Sequence, residues 1–326
     1  MPELQIRCEA LIEELGMAQL GAVCSAVPLT GGVASDIARA DVGDQAYCVK
    51  FALPKLKVAA DWYAPVHRNA AEYAWLQVAA KVRPEGAVRL FGRSAVKHGF
   101  AMEFLQGDDV YLWKDALLAE APDRGEAAAV GDMLGCIHQA STNVGFDAKP
   151  FYNRDDFFAI RIEPYLVFTA NAHPEIADVL NQLAKDLYRC DQVLVHGDVS
   201  PKNILFRQTG PVLLDAECAT LGDVSFDVSF CLNHLVLKAI HLPSALAQLL
   251  NNIKEFWSAY SAFVTWERPA KLEARVCRLL PALMLARIDG KSPVEYLNGE
   301  TRDFIRETSL DLLGLPVDTL DDFLNR

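Results

Sequence analysis

Residues 193–217, VLVHGDVSPKNILFRQTGPVLLDAE, constrain this chain more than any other stretch. Three short apolar runs, Val193 to Val195, Ile204 to Phe206 and Val212 to Leu214, each end in polar residues. Runs of this length bounded by Gly, Pro and Asn read as strands joined by tight connections. Thr209-Gly210-Pro211 reads as the turn between the second and third. His196, Gly197 and Asp198 close the first run, Asn203 follows five residues after Asp198, and Asp215 and Glu217 follow the third run. The platform therefore presents a carboxylate, a carboxamide and a second carboxylate in fixed order.

The stretches before it supply candidate partners. Ala22 to Val27 reads as a strand running into Leu29-Thr30-Gly31-Gly32-Val33, with a second strand at Ile37 to Ala40. A Gly-Gly pair between strands fits a plain hairpin, and it also fits a turn whose amides approach an anion. Ala46 to Ala52 is the next strand, with Lys50 among apolar neighbours. Lys50 fits either an edge-strand surface lysine or a lysine held under a phosphate. Residues 68–80, RNAAEYAWLQVAA, have helical spacing that puts Tyr73, Leu76 and Ala80 on one face. Glu72 on this helix is either a solvated carboxylate or the partner of Lys50. Val88 to Phe91 and Phe100 to Leu105 read as further strands. The passage Glu103-Phe104-Leu105-Gln106-Gly107 goes from strand to polar turn, which marks a boundary between residues 1–105 and 106–326.

Beyond that boundary the pattern is helical, at 127–138, 155–168, 175–188, 224–240, 244–264, 270–287 and 301–313. The first residues, MPELQIRCEALIEEL, read as one more amphipathic helix rather than a leader. No repeats or low-complexity segments occur. The expected class is α+β: an N-terminal antiparallel sheet lobe with one main helix, then a larger helical lobe.

Charge narrows the partners. Lys and Arg number 31 and Asp and Glu 43, and residues 1–105 hold 11 of each sign, so the acidic excess lies entirely in the remainder. A polyanion such as nucleic acid needs a basic face, so none is expected as a partner. The eight cysteines form no CxxC pair, so neither a cysteine zinc site nor a redox motif is indicated. No apolar run reaches the roughly 18 residues of a membrane span. A cytoplasmic protein is the expectation, with no membrane partner and with a homodimer left open.

With these residues in place, the chain resembles the aminoglycoside phosphotransferase-like kinases, the group that includes choline and methylthioribose kinases. The resemblance rests on HGDVSPKNILF followed by LLDAE. Gly31-Gly32, Lys50, Glu72, Glu103-Phe104-Leu105, His138 and the Gly222-Asp223 to Asp227 stretch fall in matching order, so that it covers roughly residues 25 to 235. It implies a bilobal protein-kinase-like fold and an ATP- and Mg²⁺-dependent transfer of the γ-phosphate to a small-molecule hydroxyl of a sugar, amino alcohol or aminoglycoside-like compound. Asp198 would be the base, with Lys202 beside it. Asn203, Asp215 and Glu217 would hold the metal, Glu217 either directly or from behind. Gly31, Gly32, Lys50 and Glu72 would serve the phosphates, and Glu103 and Phe104 the adenine edge. His196 and Asp227 would be scaffold. Transfer of this kind asks the protein for positioning and charge more than for covalent chemistry.

The chain departs from protein kinases. It has Asp215-Ala216-Glu217 in place of Asp-Phe-Gly, no Ala-Pro-Glu, and no room for an activation loop before the helix at 224. A protein substrate is therefore not expected. Two alternatives remain: a nucleotide-binding pseudokinase, and an antibiotic-resistance kinase proper. A phosphatase would want closely paired aspartates of the DxD kind, and the site has none. For the acceptor, residues 154–165 with Arg161, Glu163 and Tyr165, and residues 287–297 with Arg287, Asp289, Lys291 and Glu295, are the candidate stretches. The second fits a loop for a polar substrate bearing a carboxylate and hydroxyls. It fits equally a helix start at Ser292-Pro293.

Overall fold

The computed structural model describes residues 2–19, 22–29, 34–57 and 62–326. Gly31 and Gly32 therefore lie outside the described residues. Five strands, β1 (Val23–Pro28), β2 (Ser35–Val42), β3 (Gln45–Ala52), β4 (Leu90–Ser94) and β5 (Gly99–Glu103), form an antiparallel sheet in the order β1-β2-β3-β5-β4. Its two faces have separate owners. Val49 and Phe51 of β3 and Ala101 of β5 pack with Cys8, Leu11 and Ile12 of helix α1 (Pro2–Glu14). Cys48, Phe100 and Met102, of opposite parity, join the main core with Trp75 and Leu76 of α2 (Asn69–Val82). Side chains alternate along a strand, so Lys50 shares the face of Cys48 and points toward α2.

The buried side of α2 is Glu72, Trp75, Leu76 and Ala79, while Tyr73 and Ala80 are only half-buried. The expected face was thus rotated. The helix is apolar nearly all round, so its spacing alone did not single out the stripe that the sheet covers.

A second antiparallel platform follows. Strand β6 (Tyr111–Leu112) pairs with β8 (Ile204–Arg207), which pairs with β9 (Gly210–Leu213), and β7 (Val193–Val195) pairs with β10 (Thr220–Gly222). The third apolar run starts earlier than its hydrophobicity suggested: Gly210 and Pro211 belong to β9 and the turn is Gln208-Thr209. Proline is tolerated there because β9 is an edge strand.

The remainder is helical: α3 (Trp113–Leu118), α4 (Glu126–Ser141), α5 (Arg154–Phe157), α6 (Phe168–Ala172), α7 (Ala177–Arg189), α8 (Ser225–His241), α9 (Leu246–Ser261), α10 (Pro269–Asp289), α11 (Gly299–Gly314) and α12 (Leu320–Leu324). Helix α8 is buried from Ser225 to Ala239 and packs between α9 and α10. Between α5 and α6 the chain winds as a π-helix over Phe158–Val167, with Phe168 N–H reaching back to Glu163 O. Pro164 sits inside it and has no N–H to give, which favours the wider winding. The single helix expected at 155–168 is therefore three pieces. No helix starts at Ser292; the next begins after Asn298, whose Oδ1 accepts from Thr301 N at 2.8 Å. Among the described residues no single helix is long and apolar enough to cross a membrane.

Helix α4 meets α9 at Gly131, where an added Cβ would stand 2.4 Å from the Phe256 carbonyl oxygen. Gly131→Ala should lower unfolding stability by about 1–3 kcal/mol through overpacking, whereas Gly299→Ala, which meets nothing, should change it by no more than about 0.5 kcal/mol. Urea unfolding midpoints check both.

Candidate active site

Lys50 is the junction of sheet, helix and loop. Its side chain is buried, with Nζ 2.7 Å from Glu72 Oε2 and 2.8 Å from Oε1, and it also donates to Asp215 Oδ1. Burial works against the ammonium, but Asp215 and Glu72 outweigh it and hold Lys50 charged well above the ordinary lysine value. Burial likewise works against the Asp215 carboxylate, and Lys50 and then Lys202 hold its carboxyl well below the usual range. Glu72 goes the other way: burial pushes it up to about 7 against the pull of Lys50. Of the two carboxylates on Lys50, Asp215 is the one kept firmly ionised.

Asp215 follows β9 with φ +70°. That left-handed conformation costs a non-glycine residue roughly 1–2 kcal/mol, and aspartate is one of the few that tolerate it. The turn is fixed on its other side by Leu214 N–H donating to Asn203 O at 2.9 Å. Asn203 Nδ2 in turn donates to Asp198 O at 3.1 Å, which leaves Oδ1 as the outward acceptor of the amide. Thus Asp198, Asn203 and Asp215 are tied to one another through the backbone.

Asp198 is 4% exposed, with Arg161 Nη2 at 3.0 Å and Lys202 Nζ at 3.5 Å from Oδ2. Burial opposes its charge, but Lys202 and Arg161 hold it below the usual carboxylate range. The same Arg161 donates through Nε to Gly197 O. Gly197 makes the turn at φ +83°, and a Cβ there would meet Cys218 Cβ at 2.8 Å. Only glycine fits this close approach.

The loop hangs from Asp227. Its two oxygens accept from His196 N–H at 2.6 Å and Gly197 N–H at 2.8 Å, and His138 Nε2 lies 3.3 Å away. Tyr260 OH, 2.8 Å from His138 Nδ1, completes a chain running from the catalytic-loop candidate into α9. His196 Nδ1 accepts from Asp198 N–H at 3.1 Å, its ring stands edge-on to Trp75, and burial lowers its pKa. His196 and Asp227 thus sit where scaffold residues were expected.

Glu217 is buried against Arg68, whose Nε donates to Oε2 at 2.9 Å. Arg68 also donates to the carbonyls of Ala34, Leu53, Ala64 and Pro65, and so anchors the start of β2 and the chain after β3. Sequence reasoning missed Arg68, and it named Arg161 only as part of a candidate acceptor stretch, not as the partner of Asp198. A signal existed for each. Arg68 stands one helical turn before Glu72, and Arg161 was part of a stretch already noted for mixed charge. Glu103 ends β5, with Oε2 accepting from Arg89 N–H at 3.0 Å and Arg207 3.5 Å from Oε1. Phe104 lies under the Arg39 guanidinium at 5.1 Å.

The oxygen donors fit a hard divalent cation. One carboxylate and one amide oxygen are few ligands, as magnesium prefers when phosphate and water supply the others. Among the described residues no cluster of three or more His, Cys, Asp or Glu would hold a metal unaided.

The chain matches the model of a phosphotransferase enzyme family over residues 25–280. No curated protein matches it. Among solved structures it is similar to a choline/ethanolamine kinase family protein from Mesorhizobium loti, at 16% identity over 100% of this chain and 98% of that one, with TM-score 0.54. It is similar to an ethanolamine kinase of Plasmodium vivax, at 12% identity over 95% and 89%, with TM-score 0.58. It is also similar to an amicoumacin kinase in complex with AMP-PNP and Ca²⁺, at 11% identity over 99% of each, with TM-score 0.57. At these identities the likeness speaks for the fold.

Arg68→Met should strand a buried carboxylate and destabilise the protein by about 3–5 kcal/mol. Adding Glu217→Leu should recover part of that loss, but not the part due to the four carbonyls. Denaturant unfolding of the single and double variants reads the difference.

Proposed function

The chain belongs to the phosphotransferase enzyme family, and from that premise we propose that it transfers the γ-phosphate of ATP, with Mg²⁺, to a hydroxyl of a small molecule. One observation carries this reading: Lys50, clamped by Glu72 and Asp215, stands over a loop in which Asn203 ties Asp215 to Asp198. In it residues 1–105 form the nucleotide-binding lobe and 106–326 the catalytic and substrate lobe.

Each side chain then has a task. Lys50 contacts the phosphates and is aimed by Glu72. Gly31 and Gly32, the phosphate-loop candidates of the sequence, lie outside the described residues, and the chain at Glu103 and Phe104 borders the adenine. Asp215 and Asn203 would hold the metal, whose charge would offset that of the phosphates. Glu217, engaged by Arg68 through Oε2, stands behind that pair. Asp198 receives the acceptor hydroxyl. As the hydroxyl oxygen bonds to the γ-phosphorus and the bond to the β–γ bridging oxygen breaks, its proton passes to Asp198. A carboxylate held below its usual pKa is a weak base at the start of that step, so its first contribution is orientation. Lys202, beside Asp198, is placed to offset charge on the transferring group. Every one of these positions is filled, which speaks against a pseudokinase.

Turnover of Mg·ATP against a panel of hydroxylated metabolites tests the proposal. Asp198→Asn should lower kcat by about 10²–10⁴-fold with nucleotide affinity essentially unchanged. A variant as active as the parent would remove Asp198 from this role.

A further inference from the structure

Three cations from three helices, Lys114, Lys238 and Arg287, surround His234 of α8. Lys238, on the buried helix α8, is 2% exposed, and among the described residues the only hydrogen bond of its ammonium is to His234 O at 3.4 Å in its own helix. Arg287, on α10, donates to Ser292 O and Oγ and to Tyr165 OH at 3.4 Å, while its buried Nε has no partner among the described residues. Lys114, on α3, is half-buried. Among the described residues, no carboxylate lies within salt-bridge distance of Lys114, Lys238 or Arg287.

The acids nearby are already engaged. Asp289 holds Arg306 and His173, and Glu163 holds Lys291. The loop after α10 therefore leaves Arg287 as the charge turned toward Tyr165. In a chain of net charge −12, three cations gathered without an acid are not a solubility feature.

This cluster adjoins the candidate catalytic loop. Helix α3 packs on the Pro201–Asn203 turn that carries Lys202. Tyr165 contacts Phe230 at 5.5 Å between ring centroids, and Phe230 contacts His234 at 5.3 Å. His234 is held far below its usual pKa by burial and then by Lys238, Arg287, Lys202 and Lys114 together. Burial, then Lys114 and Arg287, lower Lys238 to about 7. Tyr296, whose buried hydroxyl has no partner among the described residues, closes over the Lys238 Nζ at 5.6 Å.

Resting on the kinase reading above, we propose that the acceptor is itself an anion: a hydroxy carboxylate or phosphorylated alcohol whose charged end sits among Lys114, Lys238 and Arg287 while its hydroxyl meets Asp198. The anion supplies the counter-charge that the fold omits, and it keeps Lys238 protonated. A quaternary ammonium or polyamine acceptor would meet repulsion at the same place. Binding takes up a proton near neutrality, because the group that gains it, Lys238, faces among the described residues Lys114, Arg287, His234, Tyr296 and the Cys231 thiol, and no carboxylate.

Calorimetric titration of the protein without nucleotide, using D-glycerate, glycerol 3-phosphate and choline as probes, tests this. One of the two anions should bind saturably and choline should not, and the better anion tells carboxylate from phosphate. Glycerate affinity should fall by about tenfold from roughly pH 6 to 8, as expected for one proton taken up by a group with pKa about 7. Lys238→Met and, separately, the half-buried Lys114→Ala should each weaken the preferred anion about tenfold or more, and Lys238→Met should abolish the pH slope. Choline binding more tightly than both anions, neither anion binding, or both variants binding like the parent would overturn the proposal. AMP-PNP is titrated separately. Failure to bind it would count against the kinase reading, while the anion titration still decides the acceptor class.

Discussion

The contact between Lys50 and its two carboxylates organises this molecule. One ammonium joins a strand, a helix and a loop separated by 22 and 165 residues in sequence. Burying it without partners would cost several kcal/mol, so sheet, α2 and the Asp215 turn are each held to the geometry that keeps it paired. The asymmetry between the partners matters. Asp215 is held ionised, on a strained left-handed turn at the mouth of the site, while Glu72 lies deep against the core with its carboxyl pushed upward. The pair therefore has an anchoring member and a presenting member, and the presenting one is free to exchange part of its charge contact for a ligand.

A second anchor fixes the other half. Asp227, at the start of α8, which is buried from Ser225 to Ala239, accepts two backbone N–H groups from the loop that ends at Asp198. Helix α8 thus carries three layers of meaning along one face of the core: Asp227 sets the loop, Phe230 seats Tyr165, and Lys238 lies among the cations beyond. Rigid attachment of this kind is what a positioning mechanism requires, since small displacements at the reacting atoms cost large factors in rate.

The parts that were legible in sequence are those that local spacing determines. Asp198, Asn203 and Asp215 lie within one 18-residue stretch, and the strands between them leave little freedom. Lys50 was named in sequence, but with an edge-strand surface position left open; β3 is an interior strand, and its pleat puts Lys50 on the face of α2. What sequence hid was non-local. Arg161 reaches Gly197 and Asp198 from a π-helix whose winding no apolar period announces, and Arg68 spans to Glu217 across 149 residues. The Ser292-Pro293 signal failed because Arg287 claims the Ser292 carbonyl and hydroxyl and folds the segment as a loop. In each case a long, charged side chain, satisfied only by tertiary contacts, decided against the local propensity.

The assignment of Asp215 as the metal-presenting carboxylate is the point on which the proposed chemistry turns. Calorimetric titration of AMP-PNP with and without Mg²⁺, on the parent protein and on Asp215→Asn, tests it most directly. Mg²⁺ should tighten binding to the parent by about tenfold or more and give no such gain in the variant. Equal nucleotide affinity in all four titrations would contradict it.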